Sequence, residues 1–402
     1  MISAEGTLEA MGKREKAPST YAASILDWRA KQIDDPVKRL KFLREASARA
    51  AGIERNLPRH RKIALSGAAV LAAGLIGVLV MPRLSSMMRK PDDQVLAAAR
   101  LDAGRMTAAA DRVPDVWLVE KKDQYEVYSN GLRIESVGAV NEAPRRFLPL
   151  DRKHPETWKK SAARTNYQTT PVGIVYHTTE SDVLPFEREQ NNNLKRLADN
   201  VLSYVRNIRA YHYLVDRFGR VHRVVAEESI ANHAGWSVWA DRESVYVNLN
   251  QSFLAISFEA QTRPHDGSET INAAQIHAAR VLTDMLRNKY KIRGENCTTH
   301  AQVSVNPDNW LIGAHTDWST NFPYEEMGLP VNYATPIPAI TIFGFSYDPV
   351  YVKVSEARLW RGLLLADDEI RQQAGARNLK PALYKALLNQ RYRETVEALA
   401  LK

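Results

Sequence analysis

The residues best able to do chemistry in this 402-residue chain are its histidines. Of ten, seven fall between His177 and His300, and an eighth is His315. His177 closes the apolar run GIVYH and is followed by Thr178 and Thr179. That setting predicts the C-terminal end of a buried strand, where open α/β sheets place their ligands. His300 ends the turn-like stretch ENCTTH, and His315 stands two residues before Asp317 in GAHTDW. In an extended segment, residues i and i+2 face the same side, so His315 and Asp317 can point into one cavity. Two imidazoles and a carboxylate suit Zn²⁺ with a fourth position open to water, the composition of a hydrolytic site. No HExxH pair is present in the sequence, which disfavours a thermolysin-like protease.

The elements that must position these residues form an α/β pattern. From Pro171 to Pro330, apolar strand-like runs such as VGIVYH and FLAISFE alternate with helical stretches such as NAAQIHAARVLTDMLRNKY. Upstream, two strand-like runs flank Asn130-Gly131, the strongest short hairpin signal. Downstream, the Pro-containing connector TPIPAITIFGF leads to two expected helices, about 356 to 374 and 381 to 401. Residues 34 to 50 read as an amphipathic helix with Pro36 in its first turn, and residues 83 to 112 as an Ala-rich helical stalk.

Composition narrows the class. Apolar residues at 45% and charged residues at 25% exclude wholesale disorder, collagen and a polytopic membrane protein. The single cysteine, Cys297, permits neither an intramolecular disulfide nor a thiolate zinc cluster. Residues 63 to 81, IALSGAAVLAAGLIGVLVM, carry no charge, and at about 1.5 Å each they nearly cross a hydrocarbon core of roughly 30 Å. A single transmembrane helix is therefore expected. Six Lys and Arg in the 20 residues before it against four in the 20 after it orient the N-terminus to the cytoplasm. The rest of the chain is then periplasmic or otherwise extracytoplasmic. The formal net charge of +9 fits that topology, because residues 1 to 62 hold 14 basic and 8 acidic side chains. Two-thirds of the excess sits beside the membrane, where it meets anionic lipid, and no nucleic-acid partner is expected.

The succession TPVGIVYHTTE, AYHYLVDRFGRVHRVVAEESIANHAGW, FLAISFEAQ, TTHAQ and GAHTDW resembles the zinc-dependent N-acetylmuramoyl-L-alanine amidases of the type 2 amidase and peptidoglycan recognition protein superfamily. The likeness covers residues 171 to 330, in the family's order. It implies a central mixed β-sheet flanked by helices, one zinc, and cleavage of the amide between N-acetylmuramic acid and the L-alanine of a stem peptide. By motif, the implied zinc ligands are His177, His300 and Asp317. The implied catalytic residues are His315, where the family usually has Lys or Thr, and Tyr211. Ser257 stands where other members carry a catalytic Glu, and Glu259, two residues on, is either a shifted base or a structural carboxylate. The stretch VNPDNWLI lengthens the gap between His300 and Asp317, which keeps the set His177, His315 and Asp317 open as an alternative. His233 and Trp236 are candidates to line a substrate groove, whereas structural roles are expected for His212, His222 and His265. The whole reads as a cytoplasmic basic tail (1–62), a span (63–81), a stalk and hairpin region (82–165), a zinc amidase domain (166–333), and a connector with C-terminal helices (334–402). The resemblance and the apolar span together imply a membrane-anchored amidase acting on peptidoglycan or muropeptides, with a non-catalytic peptidoglycan-binding module of the same fold as the alternative.

Overall fold

In a computed structural model of the protein the chain divides into two units, Met1–Lys90 and Pro91–Lys402. The residues the structure describes, 113–162, 167–262 and 270–400, all lie in the second unit. The expected span at 63–81 therefore lies outside the described residues, and among those described no helix is long and apolar enough to cross a membrane. The strands are β1 (Leu118–Lys121), β2 (Tyr125–Tyr128), β3 (Arg133–Glu135), β4 (Leu150–Asp151), β5 (Gly173–Thr178), β6 (Tyr213–Val215), β7 (Val221–Arg223), β8 (Val238–Ala240), β9 (Ser244–Val247), β10 (Phe253–Phe258), β11 (Cys297–Thr299), β12 (Val305–Asn306) and β13 (Leu311–Ile312). Eight of them form one sheet in the order β1-β2-β3-β7-β6-β10-β5-β11. It is a mixed sheet: β6, β10, β5 and β11 run parallel, while β6 and β7 are antiparallel.

Strands β5 and β10 are buried along their whole length, as parallel strands covered on both faces must be. Their alternation sorts the side chains. Ile174, Tyr176, Leu254, Ile256 and Phe258 share one core with Ala279, Leu282, Met285 and Leu286 of the helix Ala273–Tyr290. The Tyr176 hydroxyl also meets Thr283 Oγ1 of that helix at 2.9 Å. Val175 and Phe253 belong to a second cluster with Trp239, Tyr246 and Leu249. His177 and Ser257 follow those two residues at even steps, so they share that second face, paired directly across the strands. A Cβ on Gly173 would stand 2.1 Å from Phe253 Cε1 and 2.6 Å from the Asn296 carbonyl, so only glycine lets β5 approach β10 this closely.

The hairpin at Asn130-Gly131 forms as expected, with Gly131 at φ +85° between β2 and β3. Its strands continue the main sheet, because β3 pairs parallel with β7. Charge fixes the join: Glu126 of β2 accepts from Arg223 at 2.8 Å, and Arg223 reaches Glu227 at 3.2 Å. Lys289 completes the chain at 2.7 Å from Glu227, and the hydroxyls of Tyr213 and Tyr290 donate to the same carboxylate.

At the C-terminus the helices are Pro338–Phe343, Pro349–Gly375 and Pro381–Ala400. Tyr333, Ile337, Ile340, Phe343, Tyr384 and Tyr392 lie in the same core cluster as the inner sheet residues. Helix Pro381–Ala400 sends the Tyr392 hydroxyl to the Trp236 carbonyl at 2.9 Å. Its Glu394 meets Lys159 at 2.9 Å, on the short helix Trp158–Ala162.

Candidate metal centre and active site

His177, His300 and Asp317 come together, each offering one ligand atom within 4.8 Å of the others. Each arrives by a different route. His177 is placed by β5 on the sheet face opposite the helix Ala273–Tyr290. β11 lies beside β5, and the chain after it turns into the short helix His300–Val303, so His300 starts where β11 ends. Thr299 and Gln302 cap that helix reciprocally, which fixes its first residue. Asp317 is brought in by the stretch that lengthened the gap after His300. Residues 305–312 fold into the antiparallel pair β12–β13, which returns the chain to its start. Gly313 N–H then donates to the Ser304 carbonyl at 2.9 Å, His315 N–H to Ser304 Oγ at 2.8 Å, and Ala301 N–H to the Asp317 carbonyl at 3.2 Å. The insertion is thus a closed excursion, and Asp317 lies as close to His300 as a compact loop would put it.

The donor set fits a divalent cation. Asp317 Oδ2 lies 3.2 Å from His177 Nδ1, and Asp317 Oδ1 lies 2.9 Å from His300 Nδ1. All three side chains are almost wholly buried. Burial and the neighbouring His300 push the His177 imidazole down to about 4, so it is neutral and has a lone pair to offer at neutral pH. Burial opposes ionisation of Asp317, but the adjacent His300 and His177 outweigh it and hold the carboxyl well below its usual range. A buried carboxylate with two imidazole nitrogens turned toward it is a charge arrangement that a Zn²⁺ ion completes.

Around the trio the other expected residues separate. Tyr211 joins it, with its ring 5.0 Å from that of His177. It holds φ +64°, a left-handed conformation that a bulky residue adopts only where its surroundings impose it. Burial and the Asp317 charge push its phenol up, so it remains a proton donor at neutral pH. His315 also joins, stacked on His300 with ring centroids 4.4 Å apart and planes 19° apart. Of the two ligand sets left open by the sequence, the three ligand atoms that converge are those of the set with His300, and His315 lies beside it.

Glu259 does not join. Its carboxylate accepts the Arg217 N–H at 3.1 Å, and burial raises its pKa, with Asp216 adding to the effect. His212 and His222 have structural places, the first accepting from Ala255 N–H at 2.9 Å and the second 3.0 Å from Asp216. His265 lies outside the described residues.

Two contributors were not singled out in the sequence. Arg145 is 1% exposed and donates to the carbonyls of Gln251 (2.7 Å), Phe253 (3.1 Å), Glu227 (3.2 Å) and Ser229 (3.2 Å), tying the stretch before β10 to the turn after β7. Asn250 Oδ1 accepts from the N–H groups of His233, Ala234 and Gly235 at 3.0, 2.7 and 2.8 Å, fixing the NHAGW loop.

Residues 167–319 match the family described as N-acetylmuramoyl-L-alanine amidase. That stretch is a type 2 amidase domain. It contains the whole trio. Among solved structures this chain is similar to AMPDH3 of Pseudomonas aeruginosa in complex with anhydromuramic pentapeptide, at 24% identity, 41% of this chain, 61% of that one and a TM-score of 0.30. It is also similar to the amidase AmiD of E. coli in complex with anhydro-N-acetylmuramic acid-L-Ala-D-gamma-Glu-L-Lys, at 20% identity, 58% and 91% coverage and a TM-score of 0.33. A third is the Drosophila peptidoglycan recognition protein SD, at 15% identity, 43% and 85% coverage and a TM-score of 0.26. Comparison with curated proteins gives no match.

Proposed function

We propose that the protein is a zinc-dependent peptidoglycan amidase, anchored in a membrane by residues 63–81, that hydrolyses the amide between N-acetylmuramic acid and the L-alanine of the stem peptide. The observation that carries the reading is the convergence of His177, His300 and Asp317 inside a type 2 amidase domain. These three would hold the metal. When bound, zinc supplies an activated water near neutral pH and polarises the scissile carbonyl.

The chain's own residues do the rest. Asp317 stays ionised and His177 neutral, so these two need not shed protons to bind a cation at neutral pH. Tyr211 keeps its proton and stands beside His177, positioned to donate a hydrogen bond to the oxygen that gains charge as the amide carbon becomes tetrahedral. His315, stacked on His300, is the imidazole left to exchange a proton with the leaving amine. Glu259 has its own partner in the Arg217 N–H, and we assign it to that turn instead of to the proton transfer.

Ser257 beside His177 and the separate engagement of Glu259 favour one second reading, a peptidoglycan-binding module that holds its ligand without cleaving it. The discriminating experiment incubates the purified full chain with muropeptides. The amidase releases free stem peptide that begins with L-alanine, loses this activity to a chelator and regains it with zinc. Binding without release supports the module, and undiminished release by His177→Ala overturns the ligand assignment. For the anchor, the full chain is expected to stay with membranes through alkaline carbonate washing, and its recovery in the soluble fraction would refute a spanning helix.

A further inference from the structure

His177 is itself held from behind. Its Nδ1 faces Asp317 at 3.2 Å, and its other nitrogen, Nε2, lies 3.3 Å from Nδ1 of His233, with the two rings nearly perpendicular at 84°. Ligation through Nδ1 leaves the ring proton of His177 on Nε2, so the neighbouring His233 Nδ1 must be the acceptor and its own proton must sit on Nε2. His233 Nε2 is buried and has no hydrogen-bond partner among the described residues. No protein group there competes for this arrangement. The position of His233 is set independently by Asn250, whose single carbonyl oxygen takes the N–H groups of His233 and of the two residues after it.

From this geometry we infer that His233 is a positioning residue for the metal centre, accepting the Nε2–H of His177 and thereby fixing that ligand's tautomer and ring angle. A ligating histidine ordinarily gives its second N–H to a carboxylate, a carbonyl or water. Here the acceptor is a second neutral imidazole, which orients the ligand without adding negative charge behind it. The inference rests on the zinc reading above and adds a residue that acts through His177.

The test measures zinc affinity of the full chain by competition with a chromophoric chelator. His233→Leu removes the acceptor and should weaken zinc binding by about 10- to 100-fold. His233→Asn retains an oxygen near the Nδ1 position and should restore affinity to within a few-fold of the wild type. Equal affinity in the wild type and the Leu variant overturns the positioning role, as does equal weakening in both variants. A second measurement needs no substitution. In the zinc-loaded wild type, ¹⁵N spectra of the histidine rings should show His177 protonated at Nε2 and His233 with a bare Nδ1. A proton on His233 Nδ1 overturns the inference while leaving the zinc site intact. Failure of the wild type to bind zinc overturns the proposed function along with it, so the two failures are distinguishable.

Discussion

Replacing Glu227 with Gln tests whether the buried charge chain Glu126–Arg223–Glu227–Lys289, which runs from the hairpin into the main sheet, stabilises the fold. The carboxylate is 2% exposed, meets Lys289 at 2.7 Å and Arg223 at 3.2 Å, and accepts the hydroxyls of Tyr213 and Tyr290. Burial alone would raise its pKa, yet Lys289, Tyr213 and Tyr290 overcome this and lower it from 4.5 to about 2. A group whose folded pKa is depressed stabilises the fold above its unfolded pKa and loses that contribution as pH falls through the folded one. At 1.36 kcal/mol per unit, the shift corresponds to about 3 kcal/mol at neutral pH, in line with the roughly 3 to 5 kcal/mol measured when one partner of a buried pair is removed. The contribution should be complete at pH 7, fall to under about half near pH 3, and vanish below about pH 2. Urea unfolding of wild type and Glu227→Gln at pH 7 and pH 3 measures it, because other acid-labile groups are common to both proteins. A difference of the same size at both pH values, or none at pH 7, would falsify the electrostatic account of the join.

Other outcomes follow from the same structure. Tyr211→Phe should retain zinc while lowering kcat by about 100-fold or more, the range for loss of one oxyanion donor; an unchanged kcat removes Tyr211 from the mechanism. Gly173→Ala drives a methyl into Phe253 and the Asn296 carbonyl. Overpacking of this kind costs about 1 to 3 kcal/mol, and a backbone neighbour puts it at the upper end. The urea midpoint should fall with an unchanged slope, and a wild-type midpoint refutes the close approach of β5 to β10.

Much of the site was legible because it depends on local pattern. An unbroken apolar run ending in Tyr176-His177 could only be a buried strand presenting its last residues, and the spacing of Asn130-Gly131 fixed a hairpin. What stayed hidden depends on distant neighbours. The gap after His300 was visible only as extra length, since nothing in VNPDNWLI reveals that β12 and β13 pair and return the chain to Ser304. Arg145 lies in a stretch without periodicity, and its burial is made possible by four carbonyls, the farthest of which lies 108 residues away. Glu259 shares the pleat direction of Ser257, which made a shifted base plausible. β10 ends at Phe258, however, and the Arg217 N–H captures the carboxylate beyond it.

The Tyr392 hydroxyl on the Trp236 carbonyl bears on what can be moved between proteins. Trp236 is three residues beyond His233, so the helix Pro381–Ala400 braces the loop that backs His177. Tyr392 also stacks edge-on against Phe345 at 5.0 Å and reaches Trp310 of the excursion that delivers Asp317, at 6.1 Å. Recombination at the downstream border of the family match, 319, would separate Tyr392 from Trp236 and Trp310. The structural unit that holds the trio is therefore longer than the stretch matched by the family. It extends downstream at least through the helix Pro381–Ala400.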